Sequence, residues 1–371
     1  MTETRLPGVA PIEALWRAMP VTRMLDNGVD YADVLTMQRR TAEGVAWDEA
    51  AEELATTQLE RARSAERHGH VATAIAAHRA AAADLLFAQM AFNFDDARKR
   101  ALYEAFAEAV GNAAALADPP WQREEIPFGH GRMNGWLLRP ATEPIGAVVV
   151  FGGQSGWGAA YLPQADALLR RGMAVLLAEG PGQGETRMCH EILLDVDVRA
   201  AYSAFVDRAL AVAPKAGLWG NSLGGLYAAT TAAADRRVSA VCVNSAPAQP
   251  RLLQFRTFAE QAAAMLGTSE PDAIQDNFDR IAFRPGADRI HCPLLVLHGE
   301  ADPIVRAEEQ QPFLDAARDA TLRVWDDGEH TIYNHAQERT AYVADWFADQ
   351  FAGARVPGSA QSPEPNSAEV M

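Results

Sequence analysis

Three cysteines, Cys189, Cys242 and Cys292, are all that 371 residues contain, and no two form a C-x-x-C pair. An odd number at wide spacing argues against a disulfide framework and against a zinc site. Positive charge is also scarce: 33 Lys and Arg stand against 49 Asp and Glu, a formal net charge of -16. Such a surface repels a phosphate backbone, and no basic run offers a local exception, so nucleic acid is not expected as a partner. No unbroken apolar run of 18 residues occurs, and Pro7, Pro11, Glu13 and Arg17 interrupt the first twenty residues where a signal peptide needs a continuous apolar stretch. The expectation is a cytoplasmic protein with no membrane partner. The glycine-rich segments 152–158 and 180–184 lack the G-x-G-x-x-G spacing that opens a helix, and G-K-[ST] is absent, which argues against a nucleotide turn. No cofactor or metal is called for.

What is present is a chain that is 49% hydrophobic, long enough for one large core and a smaller unit beside it. Residues 46–118 are rich in Ala, Leu and Glu with helical spacing. They predict three helices, 47–68, 71–92 and 95–110, with Gly69 and Gly111 as stops and Pro119 and Pro120 closing the region. This defines a helical, cap-like N-terminal domain over residues 1–120. From Trp121 the pattern changes to short β-rich runs separated by helices: 121–127, 134–139, 146–151, 173–178, 217–219, 238–244, 294–298 and 321–325. The fold class is α/β, a mostly parallel sheet flanked by helices, forming a catalytic domain over 121–355. Continuously apolar runs such as Ala147-Val148-Val149-Val150-Phe151 predict strands covered on both faces. Residues 251–290 read as a helical insertion and candidate lid. Residues 356–371 are expected to be disordered, since 357–371 holds three prolines, three serines and no apolar period.

Gly220-Asn221-Ser222-Leu223-Gly224-Gly225 lies between the apolar strand Gly217-Leu218-Trp219 and a helix-forming run, 226–234. Strand, sharp turn and helix are the context in which a serine stands clear of a sheet as a nucleophile. A capping serine on an ordinary Gly-rich connection is the plainer alternative. Past the apolar strand Leu294-Leu295-Val296-Leu297 comes His298-Gly299-Glu300-Ala301-Asp302-Pro303. Asp302, fixed by Pro303, is the preferred triad acid and Glu300 its competitor. The strand 321–325 is followed by Asp326-Asp327-Gly328-Glu329-His330, which makes His330 the preferred base, with His335 second. A serine hydroxyl is too weak a nucleophile unaided, so the imidazole must take its proton while the aspartate fixes the tautomer.

A tetrahedral intermediate needs two backbone donors for its oxyanion. Leu223 is the first, and Gly153 or Gln154, in the loop Gly152-Gly153-Gln154-Ser155-Gly156-Trp157-Gly158, is the second. The loop Gly180-Pro181-Gly182-Gln183-Gly184 either shapes the edge of the site or is a tight connection.

G-N-S-L-G-G, F-G-G-Q-S-G, E-G-P-G-Q-G-E, H-G-E-A-D-P-I-V and D-D-G-E-H together resemble the α/β-hydrolase superfamily over about residues 121–353. The leading helical block resembles that of the subgroup containing dihydroxypseudooxynicotine hydrolase and fungal polyketide-shortening hydrolases, which cleave carbon–carbon bonds next to ketones. The resemblance implies a helical unit that roofs the pocket and helps form a homodimer, and Ser222, Asp302 and His330 as triad. The resemblance to the pyridine-cleaving relative implies a further glutamate downstream of the nucleophile. Residues 240–259 contain no Asp or Glu, so that residue does not carry over. The expected function is hydrolysis of a small-molecule carbonyl substrate, an ester, lactone or activated ketone, through an acyl-enzyme. A noncatalytic binding protein on the same fold and a serine peptidase are the alternatives.

Overall fold

In the run Ala147–Phe151 successive side chains point to opposite sides of the chain, Val148 and Val150 into one core and Val149 and Phe151 into another. This strand is the centre of the architecture in a computed structural model that describes residues 10–353. The tail expected to be disordered, 356–371, lies outside the described residues.

Eight strands form one sheet: β1 (Gln122–Phe128), β2 (Gly131–Leu138), β3 (Ala147–Phe151), β4 (Ala174–Glu179), β5 (Ala216–Asn221), β6 (Val238–Asn244), β7 (Leu294–Gly299) and β8 (Ala320–Trp325). Their order is β1-β2-β4-β3-β5-β6-β7-β8. The β1–β2 and β2–β4 pairs are antiparallel and all later pairs parallel. Each expected strand is found, displaced by three residues at most.

Among the described residues six helices precede the sheet: α1 (Ile12–Ala18), α2 (Val21–Asp26), α3 (Tyr31–Ala42), α4 (Trp47–Arg67), α5 (Val71–Met90) and α6 (Ala97–Leu116). Sequence periodicity anticipated only the last three. The first two are of seven and six residues, separated by Pro20, too short to display a helical period. The last continues through Gly111, expected to stop it, because Ala113 and Ala114 are buried beyond it and an interior glycine costs only about 1 kcal/mol. By length and composition α5 is apolar enough to cross a membrane, but it is mostly buried and packs between α4 and α6.

The remaining helices are α7 (Leu162–Leu169), α8 (Gly184–Met188), α9 (Val198–Leu210), α10 (Leu223–Ala234), α11 (Arg256–Leu266), α12 (Pro271–Ile281), α13 (Ala307–Ala316) and α14 (Ala336–Ala352). One sheet face packs on α9 and α10 through Tyr202, Phe205, Leu226 and Tyr227. The other packs on α7 and α14, and its core runs without a break into that of the helical domain, through Trp47, Phe87 and Phe106. Residues 251–290 fold mainly as α11 and α12, whose Met265 and Phe278 join the first of these cores.

Candidate active site

β5 ends at Asn221 and α10 begins at Leu223, so the turn is a single residue, Ser222, with φ 56° and ψ -135°. A left-handed φ with extended ψ is costly for any residue with a Cβ and persists only where the surroundings impose it. Here the Ser222 N–H donates to Asn244 O at 2.8 Å. Asn244 Nδ2 donates to Asn221 Oδ1 at 2.8 Å, tying the elbow to β6.

The acid and base loops are laced to each other. Glu300 N–H donates to Trp325 O and Ala301 N–H to Gly328 O, both at 3.0 Å. The approach depends on Gly299, where a Cβ would fall 2.2 Å from Gly328 O. The result sets Asp302 Oδ2 2.8 Å from His330 Nδ1, while His330 Nε2 lies 2.9 Å from Ser222 Oγ. Glu300, the competing carboxylate, is exposed on this loop, and His335 pairs with Asp327 instead.

Burial by itself pushes the Asp302 carboxyl up. The His330 ring beside it and the N–H groups of Ile304 and Val305 outweigh burial, and the group is held below its ordinary value. An ionised Asp302 only accepts, so the His330 proton sits on Nδ1 and Nε2 is left to accept from the Ser222 hydroxyl.

Leu223 opens α10, so its N–H has no acceptor within the helix. Gly153 faces it: a Cβ there would lie 2.7 Å from Leu223 N. Only a residue without a side chain lets these two backbones come so close. Gln154, the other candidate donor, has its side chain buried, and Nε2 makes no hydrogen bond among the described residues.

Five side chains that support this arrangement are not legible in the sequence. Fully buried Gln183, on the 180–184 loop, donates from Nε2 to Gly152 O at 2.7 Å and Gly153 O at 3.1 Å, while its Oε1 accepts from Gly180 N–H at 3.0 Å. That loop braces the loop carrying Gly153. From α2, Thr22 donates to Glu329 at 2.6 Å and Arg23 donates to Ser155 Oγ at 3.0 Å. Asp26, also on α2, pairs with Arg339, which donates to Thr331 O at 2.9 Å, one residue past His330. Only Gln183 lay in a segment that composition had flagged; pairs separated by 313 residues leave no local signal.

Residues 195–354 match the model of the prolyl oligopeptidase family, Peptidase_S9. The chain is 27% identical over 346 residues, 88% of its length and 90% of the relative's, to 2,6-dihydropseudooxynicotine hydrolase from Paenarthrobacter nicotinovorans. A crystal structure of 2,6-dihydroxy-pseudo-oxynicotine hydrolase superposes with a TM-score of 0.82 at 25% identity, covering 90% of this chain and 97% of that one. AbyA5 shares the fold, with a TM-score of 0.64 at 19% identity over 81% of this chain and 89% of that one. Helical domain, mixed sheet and these likenesses together show a hydrolase of the α/β-hydrolase fold, similar to those whose catalytic domain follows a helical N-terminal domain.

Proposed function

We propose that the chain hydrolyses an ester, lactone or activated ketone through an acyl-enzyme on Ser222, with His330 as base, Asp302 as orienting carboxylate and the N–H groups of Leu223 and Gly153 or Gln154 as oxyanion donors. The observation that carries this reading is the unbroken chain Ser222 Oγ, His330 Nε2, His330 Nδ1, Asp302 Oδ2, with links of 2.9 and 2.8 Å. Oγ attacks the carbonyl carbon while its proton passes to Nε2. The tetrahedral intermediate collapses as the leaving group departs, taking that proton, and water repeats the cycle to free the acid and restore the hydroxyl. For a ketone the leaving group is a carbanion, so its electrons must enter an enolate or electron-rich ring.

The relative's name supports a hydrolase acting on a small molecule, and helices rather than a β-rich unit precede the catalytic domain, which ranks a peptidase lower. A fluorophosphonate probe should label Ser222 and leave Ser222→Ala unlabelled. A screen of esters, lactones and β-diketones then ranks the substrates. An unlabelled wild type that turns over none of them would return the chain to the noncatalytic binding reading.

A further inference from the structure

Beside the loop that carries Gly153 lies a small cavity lined by Gln89, Lys99, Gln154, Trp157, Arg187 and Gln261. Its volume of about 10 Å³ admits one water-sized group. The walls come from α5, α6, α8, α11 and the 152–158 loop, so helical domain, catalytic domain and the 251–290 segment all meet there.

Of this lining Gln89, Lys99, Gln154, Trp157 and Arg187 are more than nine-tenths buried, and several of their polar groups are incompletely matched. Among the described residues Gln154 Nε2 and Trp157 Nε1 have no acceptor, and Gln89 Oε1 has no donor. Lys99, 3% exposed, donates to Phe92 O at 2.7 Å, which accounts for one of three ammonium protons. Two cations face one indole: Lys99 Nζ and the Arg187 guanidinium lie 5.4 and 5.1 Å from the Trp157 ring. Arg187 has its counterion, a bidentate pair with Asp95 at 2.7 and 2.9 Å. Among the described residues Lys99 has no carboxylate at ion-pair distance. A buried ammonium with no counterion is expensive, and donors outnumber acceptors around it.

The group that completes such a site is a single oxygen carrying negative charge. We propose that this cavity is the subsite for an anionic oxygen of the substrate, a carboxylate or an enolate, held by Lys99 and the Gln154 side chain. The proposal rests on the acyl-transfer reading above and narrows it: Gln154 follows Gly153 on the loop that faces Leu223, and it lines the cavity that would take the substrate's second oxygen. Burial, and next to it Arg187, lower the Lys99 ammonium to about 7, so a bound anion also restores its charge.

The test uses the full chain and two matched pairs of substrates. One pair sets the 4-nitrophenyl hemiesters of succinate and glutarate against neutral 4-nitrophenyl esters of equal chain length. The other sets an enolisable β-diketone against its 2,2-dimethyl derivative, which cannot form an enolate. Wild type is expected to favour the anionic member of at least one pair tenfold or more in kcat/KM, on the order expected of a charge-assisted hydrogen bond. Lys99→Gln is expected to cut that preference at least tenfold, with the change in KM. No preference in wild type on either pair overturns the subsite without need of a variant, as does a preference that survives Lys99→Gln. Fluorophosphonate labelling of Ser222 separates the two failures: a labelled enzyme without preference loses only this subsite, whereas an unlabelled one loses the acyl-transfer reading itself.

Discussion

Arg339 on α14 and Asp26 on α2 form an ion pair buried on both sides, with Nη2 2.5 Å from Oδ1 and Nη1 3.1 Å from Oδ2, and the same Nη1 donates to Thr331 O at 2.9 Å. Thr331 and Ile332 hold φ of 53° and 59° directly after His330. The helical domain thus reaches the histidine loop through a guanidinium. Asp26→Ala leaves a buried uncompensated charge and is expected to lower unfolding free energy by about 3–5 kcal/mol. Asp26→Leu with Arg339→Met removes both charges and should restore most of that stability in urea titration. It should not restore the rate, since Thr331 O loses the guanidinium and keeps only Asn244 Nδ2, at 3.2 Å; a kcat loss on the order of tenfold to a hundredfold is expected from a displaced imidazole. A double variant with wild-type kcat would make the pair structural only.

Asp302 and Glu300 stand two residues apart with opposite surroundings, one buried and bonded to His330, the other exposed. Asp302→Asn is expected to lower kcat by about 10³–10⁴ because the amide favours the wrong imidazole tautomer. Glu300→Gln should leave the rate essentially unchanged. The reverse ranking in steady-state kinetics would reassign the acid.

Legibility in the sequence followed the range of the interactions. β3 and β7 are unbroken apolar runs, and Ser222, Asp302 and His330 each lie just past a strand end, so residues adjacent in the chain sufficed to nominate them. α4 and α5 declared themselves by length and period. α1 and α2 did not, each being under two turns, though α2 carries the contacts to Ser155 and Glu329. Lys99 lies in Ala97-Arg98-Lys99-Arg100, which reads as a solvated first turn. Only the packing of Trp157 and Arg187 against it reveals a buried cation. Asp26 and Arg339 meet solely because two domains share one core.

Ser222 occupies backbone space that only glycine enters without strain. Replacing it by Ala keeps the Cβ and therefore the strain, whereas Gly relieves it. Ser222→Gly is expected to unfold with a free energy about 1–3 kcal/mol above that of Ser222→Ala, both inactive. Equal stabilities in parallel denaturant titrations would show that the elbow stores no strain.

At Gly153 a methyl group would lie 2.7 Å from Leu223 N and 2.9 Å from Leu223 Cβ. Gly153→Ala is expected to cost about 10²–10³ in kcat, the loss seen when one oxyanion donor is removed. A variant that folds, shown by circular dichroism, and turns over at the wild-type rate would place the oxyanion elsewhere.

The charge on Lys99 supplies a test in pH that needs no substrate. The charged groups that act on it are Arg187 on α8 and Asp95 and Asp96 ahead of α6. Burial first, then Arg187, bring its folded pKa down to about 7, against about 10.4 in an unfolded chain. Between these values the unfolded state binds a proton that the folded state does not, so this residue makes stability rise with pH, by at most about 1.4 kcal/mol per unit. Below pH 7 both states hold the proton and the penalty of the buried charge is complete. Subtracting the unfolding free energy of Lys99→Met from that of wild type at each pH removes the contribution of every other group. The difference is expected to grow in favour of wild type from pH 7 to pH 9, and a flat difference would mean that Lys99 keeps its proton throughout.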